Sequence, residues 1–229
     1  MLASWGVEFD PVDVQGNPAA LAELRRLGVP RVPAVAVGDR AVHGWNPPEY
    51  ARLLGVTYEA EGKLPPAELA ARLDQILEST ERLLRAIPDP HLDFKPPERD
   101  RSLRDLGYHV FRLSLAFIDA MDLGALPESW FQEPAPAGIR DSVALGNYGA
   151  LVRARLQGWF QGGAAQEYAG VVRTYYGPQS GHELLERTAW HAGQHLRQLY
   201  ALAERLGIAP PAPMPVAAFR GLPLPDALW

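Results

Sequence analysis

The sequence predicts a mainly α-helical protein: an antiparallel four-helix bundle with a small α/β unit in front of it. Two observations carry this reading. Between Pro66 and Leu206, four long stretches repeat apolar residues at three- and four-residue steps. Strand-like alternation and tight-turn signals are concentrated in the first 55 or so residues. The chain has 229 residues, 47% of them hydrophobic, which is enough to bury a genuine core.

The elements follow in order. GVEFDPVDV alternates like a strand, and NPAALAELRRLG reads as a helix opening at Asn17-Pro18. PAVAVGDRAVHGW reads as a hairpin turning at Gly38-Asp39, and Asn46-Pro47-Pro48 opens a short helix ending near Gly55. The texture then changes in VTYEAEGKLPP, which marks 56–63 as a linker between a unit at 1–55 and a bundle at 64–206. The first bundle helix carries its apolar stripe on Leu69, Leu73, Ile76, Leu77, Thr80, Leu83, Leu84 and Ile87, and the proline-rich DPHLDFKPP ends it. Ser102 caps a second helix reaching about Asp122. A loop spans Pro127 to Gly138, and a third helix runs from Asp141 to about Gln161. Glu167 to Gly181 reads as irregular, with a short extended piece in AGVVRTYY. The fourth helix covers about His182 to Leu206. The proline-rich tail, 207–229, is not expected to be helical, and it is placed either along the outside of the bundle or over the mouth of a pocket.

Composition removes several function classes. A net charge of −5 offers no basic field for nucleic acid. No apolar run has membrane-spanning length, and MLASWGVEFD has no signal-peptide pattern, so a cytoplasmic location is the default expectation. The chain has no cysteine, which excludes disulfides, thiolate ligands and cysteine nucleophiles. A metal here would be held by His, Asp or Glu.

Three histidines then stand out. His191 and His195 lie four apart in the fourth helix, so they share a face with Cβ atoms roughly 5–6 Å apart. They belong to a stripe with Leu184, Thr188, Gln198 and Leu202, which turns them toward the core. His109 sits on an apolar face of the second helix among Leu106, Leu113 and Ala116, one turn after Asp105. The spacing alone also suits two packed or surface histidines. Two buried imidazoles without a shared partner would be costly, however, and three on facing helices make an open three-nitrogen site for a divalent ion such as zinc or nickel. Asp105 is placed to orient His109 through its second ring nitrogen; a first-turn helix acid is the alternative. Tyr108, Arg112, Gln194 and Arg197 are candidates to line the approach, while His43, His91 and His182 are set aside. Ala192 stands where a zincin would need its glutamate, paired Glu-x-x-His motifs are absent, and no serine sits on a glycine-flanked elbow.

On WHAGQHLRQL and the helical architecture, residues 64–206 resemble the DinB/YfiT superfamily. The resemblance implies a four-helix bundle whose metal is held by one histidine of the second helix and by a His-x-x-x-His pair on the fourth. Here these are His109, His191 and His195. Dimers are common among bundles of that superfamily, and its characterised relatives include metal-dependent thiol S-transferases and a mycothiol-dependent maleylpyruvate isomerase, while many others have no established activity; the resemblance implies the fold and the ligands, not the reaction. The segment from Val7 to Gly55 resembles a glutaredoxin, a thioredoxin-like fold, from its second strand onward. Val32-Pro33 stands at that family's cis-proline, where thiol substrates touch the backbone, and Gly44-Trp45-Asn46 stands at a glutathione-contacting turn. The first strand and the Cys-x-x-Cys helix are missing, with Met1 to Trp5 resembling the last turn of that helix, so thiol–disulfide exchange is excluded. The vacant central strand is expected to be replaced by direct re-pairing, by the linker around Val56–Ala60, or by a partner chain.

Three functions are compatible with this reading: a metal-dependent transferase joining a low-molecular-weight thiol to an electrophile, a non-catalytic metal- or ligand-binding module, and a structural domain whose histidines only pack.

Overall fold

The structure is a computed structural model that describes residues 2, 5–12, 14, 17–30, 32–44, 46–57, 63–97, 100–162, 167–225 and 228. It is mainly helical, with a small strand-bearing unit at the N-terminus. Four helices of 21 to 25 residues form the bundle: α3 (Pro66–Ala86), α4 (Leu103–Leu123), α5 (Ser142–Gly162) and α6 (Gly181–Arg205). Before them come α1 (Pro18–Arg26), strands β1 (Ala34–Val37) and β2 (Arg40–His43), and α2 (Pro47–Leu54).

Local chemistry sets these boundaries. The Asn17 and Asn46 side chains accept from the backbone of Ala20 and Glu49, and both helices begin with proline, where the missing N–H costs nothing. Ser102 Oγ accepts from Asp105 N at 3.1 Å at the start of α4. Ser180 and Glu183 close a capping box at the start of α6, satisfying two otherwise orphaned donors.

Within the bundle α3 and α4 lie on a diagonal, each flanked by α5 and α6. Contacts along the helices fix their directions. Gly146 near the start of α5 abuts Arg85 at the end of α3, and Gly181 at the start of α6 abuts Met121 at the end of α4, so both pairs are antiparallel, as expected. The other neighbours run parallel. Gly149 meets Phe111 and Phe117 meets Trp159 between α5 and α4; the Leu64 carbonyl meets His182 and Ile76 meets Gly193 between α3 and α6. The long 124–141 connection makes this possible by carrying the chain back beside the start of α4. There Asp89 accepts from the Ser142 backbone at 2.8 Å, which also holds its carboxyl below the usual range. The shared interior is apolar: Leu69, Leu73, Ile76, Leu77, Leu84, Phe111, Phe117, Leu185, Leu196 and Leu199 are all essentially without exposure. The stripe read from the sequence is the buried face of α3.

Several expectations need correction. The stretch 167–181 contains a hairpin of β4 (Val171–Thr174) and β5 (Gly177–Ser180), and the two-residue β3 (Ala125–Leu126) lies parallel to β4. The tail carries one 3-10 turn, Val216–Phe219, of which Arg72 binds the Ala217 carbonyl at 2.7 Å. GVEFDPVDV is not a strand among its described residues. Its alternation has no face to bury, with Phe9 and Val12 52% and 62% exposed, and no ladder to join. β1 pairs with β2 alone, so the vacancy is not closed by direct re-pairing among the described residues. Linker residues 58–62, Trp45, and most of Met1 to Trp5 lie outside the described residues.

Candidate metal centre

His109 lies in the second turn of α4, and His191 and His195 lie near the middle of α6, on neighbouring antiparallel helices. Leu106, Val110 and Leu113 beside the first, and Ala192 and Leu196 beside the other two, are core residues. The helix period therefore turns all three rings into the interface, and His109 and His195 are only 5% and 7% exposed.

The three rings meet edge to face. Their planes are inclined at 61°, 75° and 81°, so nitrogens converge where stacked rings would present their faces. His191 Nε2 is 3.2 Å from His109 Nε2 and 3.0 Å from His195 Nε2, and one ligand atom from each ring lies within 4.8 Å of the others. Two nitrogens held about 2.1 Å from one ion are separated by about 3.0 Å at a right angle and about 3.4 Å at the tetrahedral angle. Both measured contacts fall in that interval. This is the one group of metal-ligating residues among those described.

His195 Nδ1 is 2.7 Å from the Gln198 Oε1. Oxygen can only accept, so the ring proton sits on Nδ1 and Nε2 presents a lone pair to its neighbours. A neutral His191 carries at Nε2 either one proton or one lone pair. If it donates to His195, it cannot also accept from His109; if it accepts from His109, it opposes the lone pair of His195. What remains is one His191 proton shared between two lone pairs; a cation taking all three lone pairs would leave no contact shared. Burial, followed by His195 and then His109, holds the His191 pKa well below the ordinary 6.5, so this ring is neutral at pH 7.

Both Asp105 oxygens are engaged at the helix start: Oδ2 accepts from Ser102 Oγ at 2.7 Å, and Oδ1 accepts from Ala135 N at 3.0 Å. These bonds cap α4 and pin the crossover. Ring orientation is visible at His195, through Gln198. Gln194 lines the cleft over the histidines. Arg197 is not among the residues lining that cleft; it donates to the Gln194 side chain at 3.0 Å and to the Pro225 carbonyl. Tyr108 and Arg112 do not line the approach: Tyr108 stacks on Tyr148, and Arg112 pairs with Glu133 at 2.7 Å and Asp119 at 3.1 Å. The Val32-Pro33 bond is cis, and the Pro33 carbonyl accepts from Gly44 N at 2.8 Å. Neither Val32 nor Pro33 is among the residues lining the histidine cleft; Phe9 and Pro11 of the N-terminal segment are.

That cleft has a volume of about 720 Å³. The histidines, Gln198 and Arg101 supply its polar lining, and Phe131, Tyr175 and Trp190 its aromatic lining. Pro225 and Leu228 border it, so the tail runs beside the pocket mouth.

Among known proteins, the pattern of the DinB superfamily matches residues 72–199, and that of glutaredoxin matches residues 1–42. A solved structure, a DinB-like protein (YjoA) from Bacillus subtilis, is similar in fold: 17% identity, 64% of this chain and 96% of that chain covered, TM-score 0.52. No curated protein gives a significant match.

Proposed function

The chain belongs to the DinB superfamily, and from that premise we propose that it is a divalent-metal-dependent transferase acting on a low-molecular-weight thiol, with His109, His191 and His195 holding zinc or nickel. The observation that carries the reading is the pair of contacts at His191 Nε2, which a neutral imidazole nitrogen can meet only by sharing one proton between two acceptors, whereas a cation would take a lone pair from each ring. A divalent ion held by these three neutral imidazoles would keep its full charge and would supply Lewis acidity, lowering the pKa of a thiol bound in the cleft.

The chain's own residues do the rest. His109, His191 and His195 are neutral donors on rigid helices, and Gln198 keeps the His195 proton on the outer nitrogen. Phe131, Tyr175 and Trp190 give the cleft apolar surface beside the histidines. Arg101 brings positive charge to the lining, which suits a thiol bearing a carboxylate. The thiol would give its proton to solvent, and its sulfur would bond to the electrophilic carbon as the bond from that carbon to the leaving group breaks, the leaving group departing with the electron pair. The substrates are thus a small thiol and an electrophile; nucleic acid and membrane have no part, and the protein works as a cytoplasmic homodimer. Val32 and Pro33 are proposed as a thiol contact of the N-terminal unit, apart from the metal cleft.

The test is metal content of untagged protein, followed by turnover of bacillithiol, mycothiol and glutathione with a generic electrophile. Stoichiometric metal and a metal-dependent rate with one thiol are expected. Metal without turnover points to the second reading, a non-catalytic binding module. One observation favours that module: Asp100 is the single carboxylate among the described lining residues, and it is paired with Lys95 at 2.7 Å, leaving few groups to move protons. Histidine-dependent metal loss must accompany either outcome; protein without metal affinity overturns both.

A further inference from the structure

Gln198 stands between His195 and the end of the chain. Its Oε1 faces His195 Nδ1 at 2.7 Å, and its Nε2 donates to the Leu228 carbonyl at 2.7 Å. Gln194 Nε2 donates to the same carbonyl at 2.8 Å. Trp190 Nε1 donates to the Pro223 carbonyl at 2.9 Å, and Arg197 donates to that of Pro225. The four donors occupy positions 190, 194, 197 and 198, which is one face of α6. They string the tail backbone along the metal-bearing helix.

The chemistry of this chain of bonds runs in one direction. A backbone carbonyl only accepts, so the Gln198 amide must turn its nitrogen to Leu228 and its oxygen to His195. The oxygen in turn requires the imidazole proton on Nδ1. Without the carbonyl, the amide is free to rotate and offer its NH2 to Nδ1. The ring proton would then move to Nε2, into the middle of the cluster, where it blocks a cation.

We infer that the Leu228 carbonyl, acting through the Gln198 amide, sets the tautomer of His195, making Gln198 a positioning residue and the tail part of the metal centre's support. The consequence for metal affinity rests on the metal reading above; the tautomer does not.

The experiment is long-range proton–nitrogen NMR of the imidazoles in metal-free protein, together with zinc affinity by chelator competition. The intact chain should show His195 protonated at Nδ1. Gln198→Leu should lose that preference, with zinc affinity lower by about 10- to 100-fold, as for loss of other groups that orient metal ligands. Gln198→Glu has two accepting oxygens, so it should keep the tautomer and bind zinc at least as well as the intact chain. Deleting residues 226–229 should mix the tautomers and weaken zinc binding in the otherwise unaltered chain. The same deletion on Gln198→Glu should change neither readout, which separates the tail's effect on the amide from any general loosening. Retention of the intact chain's tautomer after the deletion, or an Nε2-protonated His195 in the intact chain, overturns the inference. If the intact chain binds no zinc, the metal reading fails and the tautomer spectra alone decide.

Discussion

Gly44 is pressed against Tyr176: a Cβ built on Gly44 would stand 2.1 Å from the Tyr176 carbonyl oxygen. The contact joins the loop after β2 to the turn of the β4–β5 hairpin, and so seats the N-terminal unit on the bundle. Gly44 also has φ +80°, accepts from the Tyr50 hydroxyl and donates to the Pro33 carbonyl. Gly44→Ala therefore meets about 1–2 kcal/mol of left-handed strain and a backbone collision as well. Faster protease cleavage within residues 1–55, with the bundle's helical circular dichroism unchanged, is expected. Unaltered cleavage of both parts contradicts this account.

Two glycines of α5 should respond oppositely to the same substitution. An alanine methyl at Gly149 would lie 2.4 Å from the Phe111 ring, which is fully buried and cannot retreat. One at Gly158 meets nothing within 4 Å. Gly158→Ala should stabilise by about 0.5–1 kcal/mol through reduced backbone freedom. Gly149→Ala should lose more than that gain, since overpacking costs about 1–3 kcal/mol. Thermal melts of the two variants check the opposed signs.

Glu186 is 6% exposed, and its pKa is raised above 4.5, first by burial, against the pull of Lys63 and His182. The folded state thus holds the proton more tightly than the unfolded chain. Its contribution is fully favourable below pH 4.5 and is lost as pH rises through the raised value. Glu186→Gln should consequently raise the melting temperature at pH 7, with the gain shrinking toward zero below pH 4.5. A pH-independent difference would sink this assignment.

Metal binding should be visible as stability. Zinc at about 100 times its Kd should stabilise the folded state by about 2.7 kcal/mol, reversibly with chelator. His195→Ala should abolish that increment while the metal-free protein stays folded, because the leucines of the bundle interior are untouched. Differential scanning calorimetry with and without zinc makes the comparison.

The parts of the fold governed by local periodicity were legible in the sequence. The α3 stripe and the Asn17, Asn46 and Ser102 caps depend on residues a few positions apart, and they are present as read. What failed depended on distant partners. Alternation in residues 7–12 supplies a face but not a neighbouring strand, whereas the unpromising Gly177–Ser180 becomes a strand because β4 lies beside it. Arg112 shares a helix face with His109, yet its guanidinium is claimed by Glu133, 21 residues away. The stripe position of Gln198 was plain, but its work depends on a carbonyl 30 residues later in a tail without periodicity.

The spacing of the histidines along the chain has a topological consequence. His109 and His191 are 82 residues apart, and all of α5 lies between them, although it offers no ligand. A cation on this cluster would act as a cross-link, closing a loop that α5 cannot leave. Such a tie removes open conformations from the unfolded ensemble wherever the enclosed segment lies. Helix α5 would then share in the protection the ion confers, and its amide hydrogens should exchange more slowly on metal loading despite the absence of any contact with it.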